Sequence, residues 1–206
     1  MHIEVLPRQQ VSVLHQLAPA ATDAGFYLGG GTAVALHLGH RRSLDFDWFS
    51  DHALVDPAAL AERLRTTGIA ISVQAVDRGT LHADVNGVAV SFFEYTYRRV
   101  EDGVSWSELS CDVASLADLA CMKLSAAASR GSRKDFVDIF AIGRSAIPLE
   151  RMLALYKQKY DVRDTTHVLA SLSYFDDAVK EPMPEMLWSV TWDEITATLE
   201  GWVRRQ

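Results

Sequence analysis

Hydrophobic and polar positions in the first half of the chain alternate between a helical repeat and a strand repeat. Apolar residues three and four apart predict helices over 10–24, behind Gly31 and over 56–65. Period-two alternation predicts strands at 26–28, 44–49, 69–76, 80–85 and 88–95. Asn86-Gly87 is a strong signal for a hairpin turn between the last two. This order of elements predicts a mixed sheet covered by helices.

The second half of the chain shows mainly the helical repeat. Ser115 opens a capping-box pattern, Gly131 should end the helix that follows, and Ser132 could cap the next one. Further helices are expected at 148–160, 166–180 and 191–205. We therefore predict an α+β protein in which a core over residues 1–105 is followed by a helical domain over 106–206 packed on it.

Composition narrows the class of protein without identifying it. With 49% hydrophobic residues in 206, the chain can bury a substantial core. No apolar run reaches membrane-spanning length, and the first ten residues carry neither a basic leader nor a hydrophobic signal segment, so we expect a cytoplasmic protein with no membrane partner. The net charge of −7 argues against a generally basic nucleic-acid surface, although a local basic patch could still hold RNA.

An acidic pair is the first candidate for chemistry. Asp45 and Asp47 alternate with Leu44, Phe46 and Trp48 in one predicted strand. In an extended chain the three apolar side chains face a core, and both carboxylates face the opposite side. Two carboxylates aimed at one point repel each other unless a cation lies between them, and Mg²⁺ prefers one or two carboxylates plus the phosphate oxygens of a substrate. The pair predicts a Mg²⁺ (or Mn²⁺) site acting on a nucleoside triphosphate; the alternative is a solvated strand face.

A glycine-rich turn precedes this pair by about a dozen residues. Gly30 and Gly31 lack Cβ atoms, so their amides can approach phosphate oxygens at the start of the helix behind them. Thr32 either caps that helix or contacts a phosphate. A turn of this kind is also common as a plain tight loop. The functional interpretation therefore depends on the combination of the turn and the aspartates, in this order and at this spacing.

A later segment places basic residues beside apolar helix faces. Lys123 lies on the apolar face of the predicted helix that Ser115 opens, so it either snorkels to the surface or reaches into a cleft that neutralises it. The planar fork of Arg130, at the helix break, suits a triphosphate tail or a helix-end carbonyl. Asp135 and Asp138 lie in the next predicted helix, where pairing with neighbouring cations is the purely structural alternative.

These motifs together resemble the polymerase-β-like nucleotidyltransferases, whose signature is a Gly-Gly or Gly-Ser turn, a helix and Asp-x-Asp on a strand. Within that superfamily the chain is similar to the AbiEii/AbiGii toxin family of type IV toxin–antitoxin systems. The first family motif is matched by 30–33, 40–43, Asp45 and Asp47, with Val34 in place of the usual leucine. The second is matched by Lys123, Arg130, Lys134, Asp135 and Asp138. The resemblance covers residues from about 26 to 142.

The resemblance implies a polymerase-β-like core and Mg²⁺-dependent transfer of a nucleotide from a nucleoside triphosphate to a tRNA 3′ end or a protein side chain. It also implies a cognate antitoxin as a partner. The implied catalytic residues are Asp45, Asp47, Lys123 and Asp135. The implied nucleotide-binding residues are Gly30, Gly31, Thr32, Arg41, Ser43, Lys123, Arg130 and Lys134. Asp45, Asp47 and Glu94 are the implied metal ligands.

The third carboxylate of this chemistry is not fixed by the sequence. Glu94 is the only acid in its strand, Asp84 on the preceding strand is an equal competitor, and Asp135 or Asp138 could supply the base instead. Two other functions stay open. A nucleotide-binding regulator or degenerate enzyme would keep the glycine turn without turnover, and a small-molecule nucleotidyltransferase, for example one acting on an aminoglycoside, would use the same core.

Overall fold

Seven strands form one mixed sheet in the computed structural model, which describes residues 1–206. The strands are β1 (Tyr27–Leu28), β2 (Phe46–Ser50), β3 (Ile71–Asp77), β4 (Thr80–Val85), β5 (Val88–Glu94), β6 (Val104–Trp106) and β7 (Cys111–Val113). Their order across the sheet is β3-β4-β5-β2-β1-β7-β6. Strand β2 is parallel to β5 and β1 is parallel to β7, whereas all other neighbours are antiparallel.

Eight α-helices accompany the sheet. They are α1 (Arg8–Asp23), α2 (Gly30–Leu38), α3 (Pro57–Thr66), α4 (Leu116–Ser129), α5 (Arg133–Ser145), α6 (Leu149–Tyr160), α7 (Thr166–Ser171) and α8 (Trp192–Val203). Helices α2, α4 and α5 pack against one another, α6 and α7 pack on α4, and α8 packs on α5. None of these helices combines the length and apolar character that crossing a bilayer requires.

One apolar core joins the sheet to the helices. Trp48, Phe46 and Phe92 from the sheet and Phe136 from α5 are all fully buried in it. The rings of Trp48 and Phe92 stack across β2 and β5 with centroids 6.4 Å apart. Because this core includes residues from both halves of the chain, it fixes the sheet relative to α4 and α5.

Several local predictions hold at the level of individual contacts. The predicted α+β class, a mixed sheet with helices, is confirmed. Ser115 caps α4 by accepting a hydrogen bond from the Asp118 amide at 3.0 Å. Asn86 and Gly87 both have positive φ angles, 52° and 81°, which is the geometry of the predicted hairpin turn.

The strand predicted over 44–49 begins later than predicted, so Asp47 lies in it, Asp45 lies just before it, and Leu44 does not face the core. Its side chain is 61% exposed, and β2 starts at Phe46. The reason lies in the residues before it, because Arg41 forms an isolated antiparallel bridge with Met186 and the Arg42 amide donates to the Glu185 carbonyl at 2.8 Å. The backbone ahead of β2 is thus held by the C-terminal part of the chain rather than by the sheet.

Two further differences lie in the second half. The sheet continues beyond the boundary predicted at residue 105, because β6 crosses it and β7 pairs with β1. The helix predicted over 166–180 ends at Ser171, and only a single 3₁₀ turn over 178–180 follows. The chain turns there because Phe175 packs against both Phe136 and Trp192, with ring centroids 5.1 Å and 5.8 Å away.

Candidate active site

The glycine turn and the aspartate strand are in direct contact. The Gly29 amide donates to the Asp47 carbonyl at 2.8 Å, which fixes the start of α2 beside β2. Gly30 has a φ of 63°, and a Cβ atom at this position would collide with the Asp47 carboxylate. A Cβ atom at Gly31 would likewise collide with the Arg41 guanidinium. These two positions therefore require glycine, because functional side chains occupy the space where a Cβ would lie.

The start of α2 is suited to an anion. No side chain caps this end of the helix, and both Gly30 and Gly31 line the adjacent cavity. The first amides of a helix have no partner within the helix, and the helix dipole gives this end a partial positive charge. A phosphate group placed here would receive hydrogen bonds from the backbone alone.

The two aspartates lack strong partners within the chain. The Asp47 carboxylate makes no ion pair, and the nearest cation to the Asp45 carboxylate is the Lys134 ammonium at 3.7 Å. Burial and the neighbouring Asp45 charge raise the pKa of Asp47. Both effects disfavour its ionised form, and a bound cation would reverse both. Two carboxylates without a close cation partner, beside a helix start suited to an anion, have the donor chemistry that Mg²⁺ or Mn²⁺ requires.

A buried ionic cluster lies behind this pair and is centred on Asp138. Its Oδ1 atom accepts hydrogen bonds from His40 Nε2 and Arg41 Nε, both at 2.7 Å, and its Oδ2 atom accepts from Arg41 Nη2 at 2.9 Å. Lys123 Nζ lies 2.7 Å from the same Oδ2 atom. Burial opposes ionisation of this carboxyl, but Arg41 and Lys123 outweigh it and hold the pKa of Asp138 well below its ordinary value. Asp138 is therefore a permanent anion that fixes three basic side chains.

Asp135 extends the cluster toward solvent. Its oxygens accept hydrogen bonds from Arg130 at 2.8 Å and 2.9 Å and from Lys123 at 3.1 Å. Burial opposes ionisation, but these partners lower the pKa of Asp135. We therefore place Asp135 behind the cations as the residue that orients them, because a fully paired carboxylate is a poor proton acceptor.

Lys123 is the link between the two buried acids. It is 4% exposed and contacts Asp135 and Asp138 at once, which accounts for a lysine on the apolar face of α4. Burial opposes its charge, but both acids raise the pKa of Lys123. Since an ammonium has three N–H donors and the two aspartates take two, one donor is left for a ligand in the cavity that Lys123 lines.

A C-terminal strap, residues 183–190, holds the segment that supplies Arg41. The Leu187 and Trp188 amides donate to the His40 carbonyl at 2.9 Å and 3.1 Å. The Arg42 side chain donates to the Glu185 carboxylate at 2.7 Å. The strap therefore ties the far end of the chain to the loop between the glycine turn and the aspartates.

The cavity next to these groups has a volume of about 1000 Å³ and opens to solvent. The predicted site residues that line it are Gly30, Gly31, Arg41, Ser43, Asp45, Asp47, Glu94, Lys123, Arg130 and Lys134. Thr32 and Asp135 lie behind its wall. The Thr32 hydroxyl bonds to the Ser43 hydroxyl at 2.7 Å and to the Asp45 carbonyl, so it braces the aspartate segment instead of facing the cavity.

The acids considered for the third carboxylate are not placed beside Asp47. Glu94 borders the cavity, but it pairs with Ser50 on β2. Ser50 lies on the same face of the strand as the buried Phe46 and Trp48, which is the face opposite to that of Asp47. The Glu94 carboxylate accepts the Leu54 amide at 2.9 Å. Asp84 accepts the Gly87 amide at 2.8 Å and stabilises the hairpin turn. Both carboxylates therefore have local structural partners.

The residues next to Asp47 on the sheet face are instead Ser91 and His82, which the sequence interpretation did not select. Ser91 is the register partner of Asp47, His82 is the register partner of Ser91, and both line the cavity. His82 Nδ1 lies 3.0 Å from Ser91 Oγ. The alternating polar residues Thr80, His82 and Asp84 on β4 were the only sequence signal for this part of the site. They do not show which residues of β5 lie beside them.

Comparisons with known proteins place this geometry in context. A family model described as nucleotidyl transferase AbiEii toxin, type IV TA system, matches residues 94–201. The uncharacterized protein aq_aa25 of Aquifex aeolicus is 33% identical over 193 residues, covering 92% of each chain. JHP933 from Helicobacter pylori has a similar structure, with a TM-score of 0.60 and 13% identity over 97% of this chain and 92% of that one. MenT4, a nucleotidyltransferase toxin of Mycobacterium tuberculosis, matches with a TM-score of 0.54 and 14% identity over 96% and 80%.

Proposed function

Because the chain belongs to the AbiEii family of nucleotidyl transferase toxins, we propose that this nucleotidyltransferase moves a nucleoside monophosphate from a nucleoside triphosphate to an acceptor hydroxyl. The observation that carries the proposal is the pair Asp45 and Asp47. These carboxylates face a cavity beside an anion-binding helix start, while the neighbouring buried acids are fully paired with cations. Acids without a close cation partner, next to a helix start suited to phosphate, fit chemistry that needs a divalent cation between them.

Asp45 and Asp47 would hold Mg²⁺ or Mn²⁺. Such an ion, when bound, offsets the charge of the triphosphate and of the leaving pyrophosphate. The protein's own contribution is to hold the Asp47 carboxylate in place beside Asp45. The contact of Asp47 with Gly30 does this, since it leaves the carboxylate little room to turn away.

The phosphates would lie between the start of α2 and the basic side chains of α4 and α5. Gly30 and Gly31 offer amides, while Lys123, Arg130 and Lys134, which line the same cavity, offer charge. In the reaction the acceptor oxygen forms a bond to the α-phosphorus as the bond from that phosphorus to the β-phosphate oxygen breaks. Positioning and electrostatic stabilisation supply most of the catalysis in such transfers.

We propose that the acceptor is a tRNA 3′ end or a protein side chain, and that a cognate antitoxin is the regulatory partner. The family description, a type IV toxin–antitoxin system, supports the antitoxin. The cavity has a volume of about 1000 Å³ and opens to solvent, which an acceptor arriving from outside the protein requires.

The test is transfer of label from each α-³²P nucleoside triphosphate, with Mg²⁺, to total tRNA or to lysate protein. Asp45→Asn combined with Asp47→Asn is the site variant, and Asp176→Asn combined with Asp177→Asn is the matched control at exposed positions. We expect label on one acceptor class with the unsubstituted protein and the control, and none with the site variant.

Two results would contradict the proposal. If the site variant transferred label at the rate of the control, Asp45 and Asp47 would not be required for the reaction. Absence of transfer by the unsubstituted protein to tRNA and to lysate protein, with all four nucleotides, would reject the acceptor classes that we propose. A circular-dichroism melting curve of each variant would confirm that its fold is intact.

A further inference from the structure

One face of the sheet presents a row of functional groups across three strands. Asp47 on β2, Ser91 on β5 and His82 on β4 are successive register partners, so their side chains project from the same face. Adjacent strands are about 4.8 Å apart, which places His82 about 10 Å from Asp47 along the sheet. That gap can hold a reacting phosphate and a hydroxyl group.

Transfer to a hydroxyl requires a group that accepts its proton, and the acids near the site are otherwise engaged. Asp135 and Asp138 are bound to buried cations. Glu94 and Asp84 each accept a backbone amide. Asp45, like Asp47, is needed for the cation. Lys123 is held as an ammonium by the two acids beside it.

We propose that His82 is the general base that takes the proton of the acceptor hydroxyl, and that Ser91 positions its ring. The inference rests on the proposed function. In the tautomer in which Nδ1–H donates to Ser91 Oγ, Nε2 carries a free lone pair, and no other side chain of the protein bonds to this atom. The hydroxyl oxygen bonds to the α-phosphorus, its proton moves to His82 Nε2, and pyrophosphate leaves with the electrons of the broken bond.

The surroundings of His82 leave it free for this role. Its partner on β3 is Ala75, its partner on β5 is Ser91, and Phe93 packs edge-on against its ring with centroids 5.7 Å apart. Asp84, two residues along β4, is the nearest acid on the same strand face, and its carboxylate is bound to the Gly87 amide. No ion pair therefore ties the imidazole.

The experiment compares steady-state transfer by His82→Gln, His82→Ala and His15→Gln with the unsubstituted protein. Glutamine can keep a hydrogen bond to Ser91 but cannot take up a proton, whereas His15 is an exposed residue of α1 and serves as the matched control. We expect kcat of His82→Gln to fall about 10²- to 10⁴-fold, the range for loss of a general base. Binding of a non-hydrolysable nucleotide with Mg²⁺, measured by calorimetry, should be unchanged.

Added imidazole separates a chemical role from a structural one. The cavity is open, so imidazole should enter the space left in His82→Ala and restore transfer at least tenfold, with no effect on His15→Gln. Near-normal kcat in His82→Gln, or a loss that imidazole does not rescue, would overturn the assignment. Inactivity of the unsubstituted protein would instead overturn the proposed function, so the two failures are distinguishable.

Discussion

Substitution of Asp138 by asparagine is the most direct test of the buried ionic cluster. The carboxylate accepts three hydrogen bonds, one from His40 and two from Arg41, and forms an ion pair with Lys123. Asparagine keeps one accepting oxygen and replaces the other by an amide donor, which would face the donors of Arg41 or Lys123. It also leaves the cations of the cluster with Asp135 as their only buried counter-ion.

The expected loss follows from these contacts. Breaking a buried ion pair by removing one partner costs about 3–5 kcal/mol, because the remaining charge stays buried. For a chain of 206 residues this corresponds to a drop in melting temperature of roughly 6–20 °C. Asp177→Asn, at an exposed pair with Lys180, is the matched control and should leave the melting temperature almost unchanged.

The pH dependence gives a second signature. Asp138 has a pKa well below its ordinary value in the folded protein, so its stabilising effect is present above the unfolded-state pKa of about 3.9 and is lost as the pH falls toward the folded-state pKa. The difference between the unsubstituted protein and Asp138→Asn should be constant from pH 7 to about pH 5 and should narrow below about pH 4. Urea unfolding across this range measures it. A deficit at pH 7 no larger than that of Asp177→Asn would refute the reasoning.

Two further predictions concern the cation and the glycine turn. Asp47→Asn should raise the melting temperature of the metal-free protein, because burial and Asp45 disfavour the charged form of Asp47. The same variant should abolish any stabilisation by Mg²⁺ in thermal scans. A lower melting temperature of the metal-free variant would contradict this. Gly30→Ala should lower the free energy of unfolding by about 1–2 kcal/mol, because alanine is strained at a positive φ. It should also lower the transfer rate at least about tenfold, because the added Cβ displaces Asp47. Gly68→Ala is the control, because its added Cβ meets nothing within 4 Å, and it should lose stability but not activity. Equal activity of the two variants would show that a Cβ at Gly30 does not displace Asp47.

The local features of the site could be predicted because each is encoded by neighbouring residues. The spacing of Gly30, Asp45 and Asp47 indicated the family, which the family match confirms. The position of Lys123 on an apolar helix face left either a snorkelling side chain or one in a cleft, and the structure shows it buried. The assignment of these residues to metal and phosphate binding stays a prediction. What the sequence could not show is which acids are already paired with cations.

The features that were missed depend on contacts between distant segments. Strands β6 and β7 have three residues each, too few for a period-two pattern, and are defined by pairing with each other and with β1. The pairing of His82 with Ser91, and of Ser91 with Asp47, depends on strand register, which single-sequence patterns do not give. The alternating pattern places Leu44 in the strand, but the bridge between Arg41 and Met186 holds the preceding backbone away from the sheet.

The C-terminal strap has a consequence for the protein while it is being synthesised. The aspartates emerge from the ribosome first, the cations that face them follow roughly 80 residues later, and the strap that fixes Arg41 follows after roughly 50 more. At roughly 5–20 residues per second, the nascent chain spends on the order of 10 s with both aspartates made but without the strap that fixes Arg41. Under the proposed function, the nascent chain could not transfer nucleotides during this interval, which would leave the proposed antitoxin time to bind it.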